Sequence, residues 1–565
     1  MKLSKVITIV LLSFISIGVV YGVSANDSSS AKIGNQYYID NFNGNDSNNG
    51  NSQEKAWKTM SRIEEEVFQP GDEILFKRGG VWTGSLNPKG SGSSKRSIII
   101  SAYGNGNRPI INGNGVENVI KLKNQQYWEI SNLEITNFVN GEIPAEARRG
   151  IHIVNENYGG ENLSESNIST ITELKGFYIH DMYIHDVLGQ DRKDTYGSSG
   201  IQFTVHIPKN KSINQRTTFN GIKIENNILK NVQRSGIILI SDWSSRDLVE
   251  DIDNNKSIRP WTPILNVHIR GNKLYNMGGD GIVPHMTDGA IIEYNFINGY
   301  NTMSTGANAG MWVYNGDNAL FQYNEVTGGK STRDGMPWDF DHGSQGVTYQ
   351  FNYSYNNEGG TLLLCADVVG KGVRNGIFRY NLSYNDSHQT FTVCKGDNVS
   401  NINIYNNIFY LGKNMNTNPS VEQGGKARVN IFNNIFVNNG RGKYEGKSSF
   451  NYSNNVYSGA NIKGLNTINE PHKIIAEPMF KDKSHPDVLF PGTVLNKDIL
   501  TRDVTDWSAL NGFMLSENSP AINSGRFVTL DTDNYPNKHD IFGNLLYNGM
   551  PDVGIHEYID NNTTP

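Results

Sequence analysis

The chain has 565 residues, of which 37% are hydrophobic and 19% charged, and its formal net charge is −6. This mild acidity excludes the basic footprint of a nucleic-acid-binding protein, and two cysteines are too few for a disulfide scaffold or a zinc site. The 59 glycines and 27 tyrosines, together with many asparagines, favour turns and strands over helices.

The first 25 residues are typical of a secretory signal peptide. Lys2 and Lys5 supply positive charge, Val6–Val20 is apolar, and Val23–Ala25 offers a small-residue cleavage site. A membrane anchor is the alternative, but the apolar run is short and polar sequence follows it. We therefore expect an extracellular or periplasmic protein without a membrane span. Residues 26–36 form a Ser-rich leader that we expect to be disordered.

Residues 37–565 read as one elongated domain, expected to be a monomer, that begins with an entry cap over residues 37–126. Within this cap, the apolar spacing around residues 57–68 predicts a short helix, and Gly71–Lys77 predicts a turn and a strand. The segment Asp40–Gly50 is rich in oxygen ligands. It suits either a Ca²⁺ site or an Asx-rich surface turn, and the turn is favoured.

Residues 127–459 repeat a unit made of an alternating strand, an Asn-containing bend and a second short strand. Asn132 and Asp181 take the shared position in the first two units. The long early intervals indicate either one turn with a large loop or two turns that lack one Asn. From the third unit onward the shared residue is an asparagine, 21 to 45 residues from the next one: Asn227, Asn272, Asn295, Asn324, Asn352, Asn381, Asn407, Asn434 and Asn455.

A repeat period in the twenties indicates a solenoid, and alternation of period two excludes helices within it. The pattern predicts an all-β, right-handed parallel β-helix of about 10–12 turns. Each Asn side chain would tolerate the bend and bond to the Asn of the next turn. Residues 460–565 are predicted to form terminal turns and capping strands, with strands at Asn511–Leu515, Ser519–Ile522 and Pro551–Glu557.

A further strand of each turn, usually after a Gly, can be aligned from one turn to the next. Trp338 and Phe340 are taken as pointing inward. The outward column then contains Val283, His285, Trp312, Tyr314, Asp339, Asp341, Leu363, Cys365, Thr392 and Cys394. The two cysteines are 29 residues apart in sequence, so they should stack about 4.8 Å apart on neighbouring turns, either as a disulfide or as packed thiols.

Aspartates beside aromatic rings on this column indicate carbohydrate chemistry, because two carboxylates can cleave a glycosidic bond and crowded acids raise one pKa. Asp341 is the first catalytic candidate, with Asp339 or Asp367 as its partner and Asp334 as the outside candidate. Retaining and inverting geometries both stay open. The residues expected to bind substrate around these acids are Trp312, Tyr314, His285, His342, Asn315, Arg333, Trp338, Asp242 and Lys395.

Other interpretations of these residues stand beside the catalytic one. Asp339 and Asp341 could hold Ca²⁺, although no metal or other cofactor is required by the prediction. Asp367 could be a solvated turn residue, and Trp312 could pack against its neighbours. The predicted loops Asn155–Lys175, Pro208–Phe219 and Ser241–Pro263 would wall the groove.

Several motifs resemble secreted bacterial parallel β-helix carbohydrate-active enzymes. They are Tyr37–Ile39, Pro70–Asp72, Ser101–Gly104, SPAINSG and PDVGIHEY at the two ends, and DGMPWDFDHG followed by QFNYSYNNEGG in the middle. The middle is most similar to glycoside hydrolase family 141 and also resembles family 136. Family 141 contains fucosidase and xylanase activities. Family 136 releases lacto-N-biose with two aspartates, and Asp334 and Asp341, seven residues apart, resemble that pair in spacing only.

The resemblance and the acidic column together predict a secreted glycoside hydrolase that acts on a plant or host glycan. A polysaccharide lyase is the first alternative, with Lys371, Arg374, Arg379 or Lys395 as its base and Ca²⁺ held by Asp339 and Asp341. A non-catalytic glycan-binding or adhesion protein is the second. The sugar, the linkage and the exo or endo mode are left open by the sequence.

Overall fold

A computed structural model describes residues 34–141, 144, 146–156, 171–193, 197–207, 216–246, 260–366, 372–394, 396–423, 426–482, 503–528, 538–546 and 549–560. The signal peptide and most of the leader, as well as Asp367, Lys371 and Lys395, lie outside these residues. So does most of each of the three predicted groove loops. In the described part, no helix has the length and apolar character needed to cross a bilayer.

Three long parallel sheets run along the molecule, and the chain visits them in turn, as a parallel β-helix requires. Within the described residues, the first sheet consists of Gln36–Ile39, Glu73–Lys77, Ile98–Tyr103, Trp128–Ser131, Ile171–His180, Arg216–Glu225, Ile264–Arg270, Ile291–Glu293, Leu320–Gln322, Thr348–Gln350, Ile377–Arg379, Ile402–Tyr405, Val429–Phe432 and Phe450–Ser453, with Thr287–Asp288 at its side.

The second sheet consists, in the same part of the chain, of Val81–Thr83, Ile110–Asn112, Glu134–Asn137, Tyr183–Val187, Ile228–Val232, Lys273–Met277, Phe296–Asn298, Glu325–Thr327, Tyr353–Tyr355, Leu382–Tyr384, Ile408–Leu411, Ile435–Asn438, Val456–Ser458 and Ile474–Ile475. The third sheet, which carries the site described below, consists of Asn118–Lys123, Arg149–Glu156, Ser199–His206, Ser235–Ser241, Ile282–Pro284, Met311–Val313, Trp338–Phe340, Leu362–Cys365, Gln389–Cys394 and Asn418–Gln423.

Among the described residues, little other regular structure accompanies the three sheets. One α-helix covers Met60–Glu64, within the predicted helical stretch. Two small parallel pairs join Val67–Phe68 to Lys89–Gly90 and Val373–Arg374 to Val399–Ser400. The described 3₁₀ turns are Gln53–Lys55, Gly396–Asn398, Leu465–Thr467 and Ser508–Phe513.

The entry cap is the start of the solenoid itself, because its strand Gln36–Ile39 pairs with Glu73–Lys77, the next strand of the first sheet. In its Asx-rich segment, aspartate side chains accept hydrogen bonds from protein N–H and O–H groups. Asp40 accepts from the backbone of Phe42 and Asn43, and Asp46 accepts two backbone N–H groups and the Thr59 hydroxyl. These bonds fit the favoured surface turn.

The predicted asparagines form a continuous ladder between the first and second sheets. Asn324 shows the pattern: its Oδ1 accepts the backbone N–H and the Nδ2 of Asn295, each at 3.0 Å, and its Nδ2 donates to Asn352 Oδ1 and to the Ile292 carbonyl. The same bonds recur up to Asn455. There Glu470 accepts in place of the next amide and ends the ladder.

The ladder begins at Asn227, and two predicted members are displaced by one residue. Asn227 Oδ1 accepts the backbone N–H of Met182, so Met182 rather than Asp181 occupies the ladder position. Asp181 and Asn132 have φ values of 53° and 61°, like Asn226 at 56°. The residue with a left-handed backbone therefore lies directly before the ladder position. Asn and Asp adopt this backbone conformation more readily than most residues.

Each long early interval is one turn with a large loop, because Phe177 pairs directly with Ile222, 45 positions later. The chain end also differs from its prediction. Ser508–Phe513 is a 3₁₀ turn, so the strand predicted at Asn511–Leu515 is wrong. The strands predicted at Ser519–Ile522 and Pro551–Glu557 are also wrong, because these residues form turns and bends. Phe513, Ala521 and Val553 pack with Tyr355 and Leu382 of the second sheet. Because this segment packs on apolar side chains of the outer face of that sheet, it lies along the solenoid instead of extending it.

Candidate active site

The third sheet has the register that the alternating pattern predicts. Trp312 pairs with Asp339, and Asp339 pairs with Leu363 on the next turn. Inward residues such as Phe340 are fully buried in the core, because alternate side chains of a strand point to opposite faces. The other face of the sheet therefore carries the aspartates and the aromatic rings.

A cavity of about 730 Å³ lies over this face. A volume of this size suits a small-molecule ligand. The predicted site residues that line it are Asp334, Asp339, Asp341, Trp312, Tyr314, His285 and His342. Other lining residues are Lys193, Arg234, Asp280, Asn308, Leu363, Cys365 and Cys394.

Asp339 is the most enclosed of the three candidate acids, at 4% exposure. Its Oδ1 is buried and has no hydrogen-bond partner among the described residues. Burial, with the nearby charges of Asp341 and Asp334, raises its pKa well above the ordinary value. A carboxyl in this setting holds its proton more firmly than an exposed one.

Asp341 lies two residues further along the strand direction and is partly buried. Its Oδ1 accepts the backbone N–H of His342 at 2.7 Å and lies 3.2 Å from His342 Nε2. The two neighbouring acids of this strand thus have different surroundings, which separates their chemical roles.

Asp334 reaches the cavity from the loop before the strand. Its backbone is left-handed, with φ of 57°. The loop is fixed because Gly335 N donates to the Asn308 carbonyl at 2.8 Å and Tyr300 Oη donates to the Gly335 carbonyl. Burial raises the pKa of Asp334; the charge of Lys193 lowers it, and that of Asp341 raises it.

Trp312 is held by groups that sequence reasoning missed. Its Nε1 donates to Asp280 Oδ1 at 2.9 Å, and Asp280 Oδ2 lies 2.9 Å from Arg234 Nη2. The Lys193 ammonium is 4.9 Å from the centre of the Trp312 ring. Asp280 lies two residues before the strand Ile282–Pro284, and Arg234 lies directly before the strand Ser235–Ser241. Neither residue therefore belongs to the alternating column, and only the fold brings them to the ring.

The His285 ring packs against the Trp312 ring, with ring centres 4.8 Å apart. Its Nε2 atom is buried without a hydrogen-bond partner in the described part of the chain. Burial lowers the pKa of His285 to about 3. The imidazole is therefore neutral in the physiological pH range and can donate or accept one hydrogen bond there.

The two cysteines of the cavity lining form a disulfide, with Cα atoms 4.8 Å apart. This decides between the two arrangements that the sequence allowed. Cys365 and Cys394 are paired in register on adjacent turns. The bond links the strand after the aspartates to the next turn.

Several predicted substrate-binding residues do not reach the cavity. Trp338 points into the core, where its ring is 5.8 Å from that of Tyr349, because it lies on the inward phase of its strand. Asn315 is fully buried and bonded to Arg246 and Ser244. Asp242 accepts from the backbone N–H of Ile207, and the exposed Arg333 does not line the cavity.

No protein-family model matches the chain. The chain is 25% identical, over 94% of its length, to a lacto-N-biosidase of Bifidobacterium longum subsp. longum. It spans only 37% of the length of that relative.

Two solved structures of the GH136 lacto-N-biosidase from Eubacterium ramulus share the fold. The selenomethionine form has a TM-score of 0.55 at 24% identity, and the match covers 67% of this chain and 64% of the chain in that structure. The native form has a TM-score of 0.56 at 23% identity and covers 74% and 68%. The resemblance to parallel β-helix carbohydrate-active enzymes is confirmed. The two solved structures are described as family 136, which was named second from the sequence, after family 141.

Proposed function

We propose that the chain is a glycoside hydrolase of the lacto-N-biosidase kind, which cleaves a glycosidic bond in a host-type oligosaccharide. The observation that carries this proposal is the single cavity lined by Asp334, Asp339 and Asp341 together with Trp312 and Tyr314. Similarity to a lacto-N-biosidase over 94% of the chain supports the substrate class. A secreted location rests on the first 25 residues alone.

Asp334 and Asp341 are proposed as the catalytic pair. Glycosidases need one carboxyl that donates a proton and one carboxylate that acts as base or nucleophile. The raised pKa of Asp334 suits the proton donor. Asp341, whose Oδ1 accepts the backbone N–H of His342 and lies 3.2 Å from His342 Nε2, is proposed as the base or nucleophile. This pair also has the seven-residue spacing that resembles the aspartates of family 136.

The lyase alternative loses support from the positions of its candidate bases. Arg379 is buried and donates to Gln350 and Tyr405, and Arg374 is exposed and does not line the cavity. The other two candidates, Lys371 and Lys395, lie outside the described residues. No observation on the described residues favours β-elimination over hydrolysis.

The test is digestion of a glycan panel that includes an aryl glycoside of lacto-N-biose, with products analysed by mass spectrometry. We expect disaccharide release with a mass gain of one water for each bond cut. Products that absorb in the ultraviolet without a gain of water would indicate a lyase. Binding of glycans without any cleavage would indicate the non-catalytic alternative, and either result overturns the proposal.

A further inference from the structure

Two residues that line the cavity, Asp339 and His285, each have a buried polar atom without a protein partner among the described residues, and they belong to the turns on either side of Trp312. Asp339 Oδ1 belongs to the turn after Trp312, where Asp339 and Trp312 are paired in register. His285 Nε2 belongs to the turn before it, with the His285 ring against the Trp312 ring. Other buried polar atoms of the described residues also lack a partner, such as Trp338 Nε1 and Thr327 Oγ1, but those of Asp339 and His285 belong to residues that line the cavity, and a buried atom without a partner needs an explanation.

Structural roles do not explain these two atoms. The polar groups that hold this fold, such as the ladder amides, are bonded at both ends. Leaving a polar atom buried and unpaired costs about 1–3 kcal/mol. Such a cost is retained at a site where a ligand supplies the missing bond.

We propose that Asp339 and His285 form an uncharged hydrogen-bonding pair that selects a neutral sugar ring at Trp312, and that neither residue transfers the catalytic proton. This inference rests on the proposed function and divides the three aspartates into a catalytic pair and a substrate-binding group. A hydroxyl or acetamido group of the sugar would complete the hydrogen bonds of Asp339 and His285.

The charges around the cavity support the choice of a neutral sugar. Four aspartates line it, namely Asp280, Asp334, Asp339 and Asp341, against the two cations Lys193 and Arg234. Arg234 is already engaged by Asp280 and Asp191. A uronate carboxylate would therefore find Arg234 already paired and would meet the carboxylate of Asp341, whereas an uncharged ring would not.

The test uses paired variants at each position, assayed on the aryl glycoside of lacto-N-biose. Asp339→Asn and His285→Gln keep a neutral hydrogen-bonding side chain, so kcat should fall less than about tenfold. Asp339→Leu and His285→Leu remove the bond, so KM should rise by about 10- to 100-fold. Thermal unfolding of each variant checks that it is folded.

The pH profile of kcat/KM gives the second readout. Both limbs should keep their positions in Asp339→Asn, because the proposed proton-transferring groups are unchanged. A folded Asp339→Asn protein as inactive as Asp341→Asn, or one that has lost a limb, would overturn this inference while an active wild type upholds the proposed function. A wild-type chain inactive on every glycan would overturn the proposed function and this inference with it.

Discussion

The Asn ladder and the residues Asp339 and His285 of the cavity differ in how their buried polar atoms are bonded. Along the ladder, Asn324 and its neighbours have every amide atom bonded to the turn before or the turn after. In the cavity, Asp339 and His285 each keep a buried atom without a partner in the described chain. Both regions belong to the same coil.

This difference shows that burial alone does not identify a functional group. The ladder asparagines are as buried as Asp339, yet their bonds are saturated by the solenoid. Asp339 and His285 each have one atom to which the described residues supply no bond. Each prediction below breaks one side of the comparison and leaves the other side intact.

The largest effect is expected from Asp341→Asn. Loss of one carboxylate of a catalytic pair should lower kcat/KM by about 10³-fold or more, with no loss of thermal stability. Asp397→Asn is the matched control, because Asp397 is exposed and does not line the cavity. Activity of Asp341→Asn within tenfold of the wild type would remove Asp341 from the catalytic pair.

On the cavity side of the coil, the disulfide between Cys365 and Cys394 links two adjacent turns covalently. It joins positions 29 residues apart, and closure of such a loop stabilises a fold by about 3–4 kcal/mol. The double variant Cys365→Ser and Cys394→Ser should therefore unfold at lower denaturant concentration. The wild type under reducing conditions should match it, and an unchanged unfolding midpoint in both cases would contradict the role of this bond.

Asn324→Ala tests the saturated side of the comparison. Its removal leaves buried groups of Asn295, Asn352 and Ile292 without partners, at a cost of roughly 2–3 kcal/mol in unfolding free energy. Asn451→Ala removes a similar amide pair with Asn430 at an exposed position, so it should cost only about 0.5 kcal/mol. Equal losses in the two variants would show that saturation of buried amides is not what stabilises the ladder.

The smallest expected effect is a pH-dependent gain in stability from Asp339→Asn. The pKa of Asp339 is raised in the folded protein, so the wild type loses stability as the pH rises from the unfolded value near 3.8 through the folded pKa. The variant lacks this loss. Its melting temperature should exceed that of the wild type by about 1 °C or more at pH 7.5, and the gain should shrink toward pH 4. A lower melting temperature at pH 7.5 would contradict the assignment.

The repeated part of the fold could be predicted from sequence because each turn restates the same constraints. Alternation fixed which side of the strand Trp338 and Asp339 occupy, and the cysteine spacing fixed their stacking. The ladder start was misplaced because Asn132 and Asp181 imitate the shared residue one position early. Met182, which takes that position, carries no signal of its own.

The irregular parts of the site could not be predicted in the same way. Asp280 accepts a hydrogen bond from Trp312, and Arg234 forms an ion pair with Asp280. Neither contact follows the sequence period. Asp334 was only the outside candidate because it precedes the strand. The packing of the chain end along the second sheet depends on apolar residues of that sheet, such as Tyr355 and Leu382, which the repeat pattern alone does not distinguish from core residues.

The most direct test of the central claim is a crystal structure of the Asp341→Asn variant with a lacto-N-biose glycoside. The account predicts that the sugar lies in the cavity against Trp312, with the glycosidic bond within about 3–3.5 Å of the side chains at positions 334 and 341, as a reacting geometry requires. A sugar bound instead in the groove on the outer face of the first sheet, lined by Leu320, Thr348 and Ile377, would contradict it.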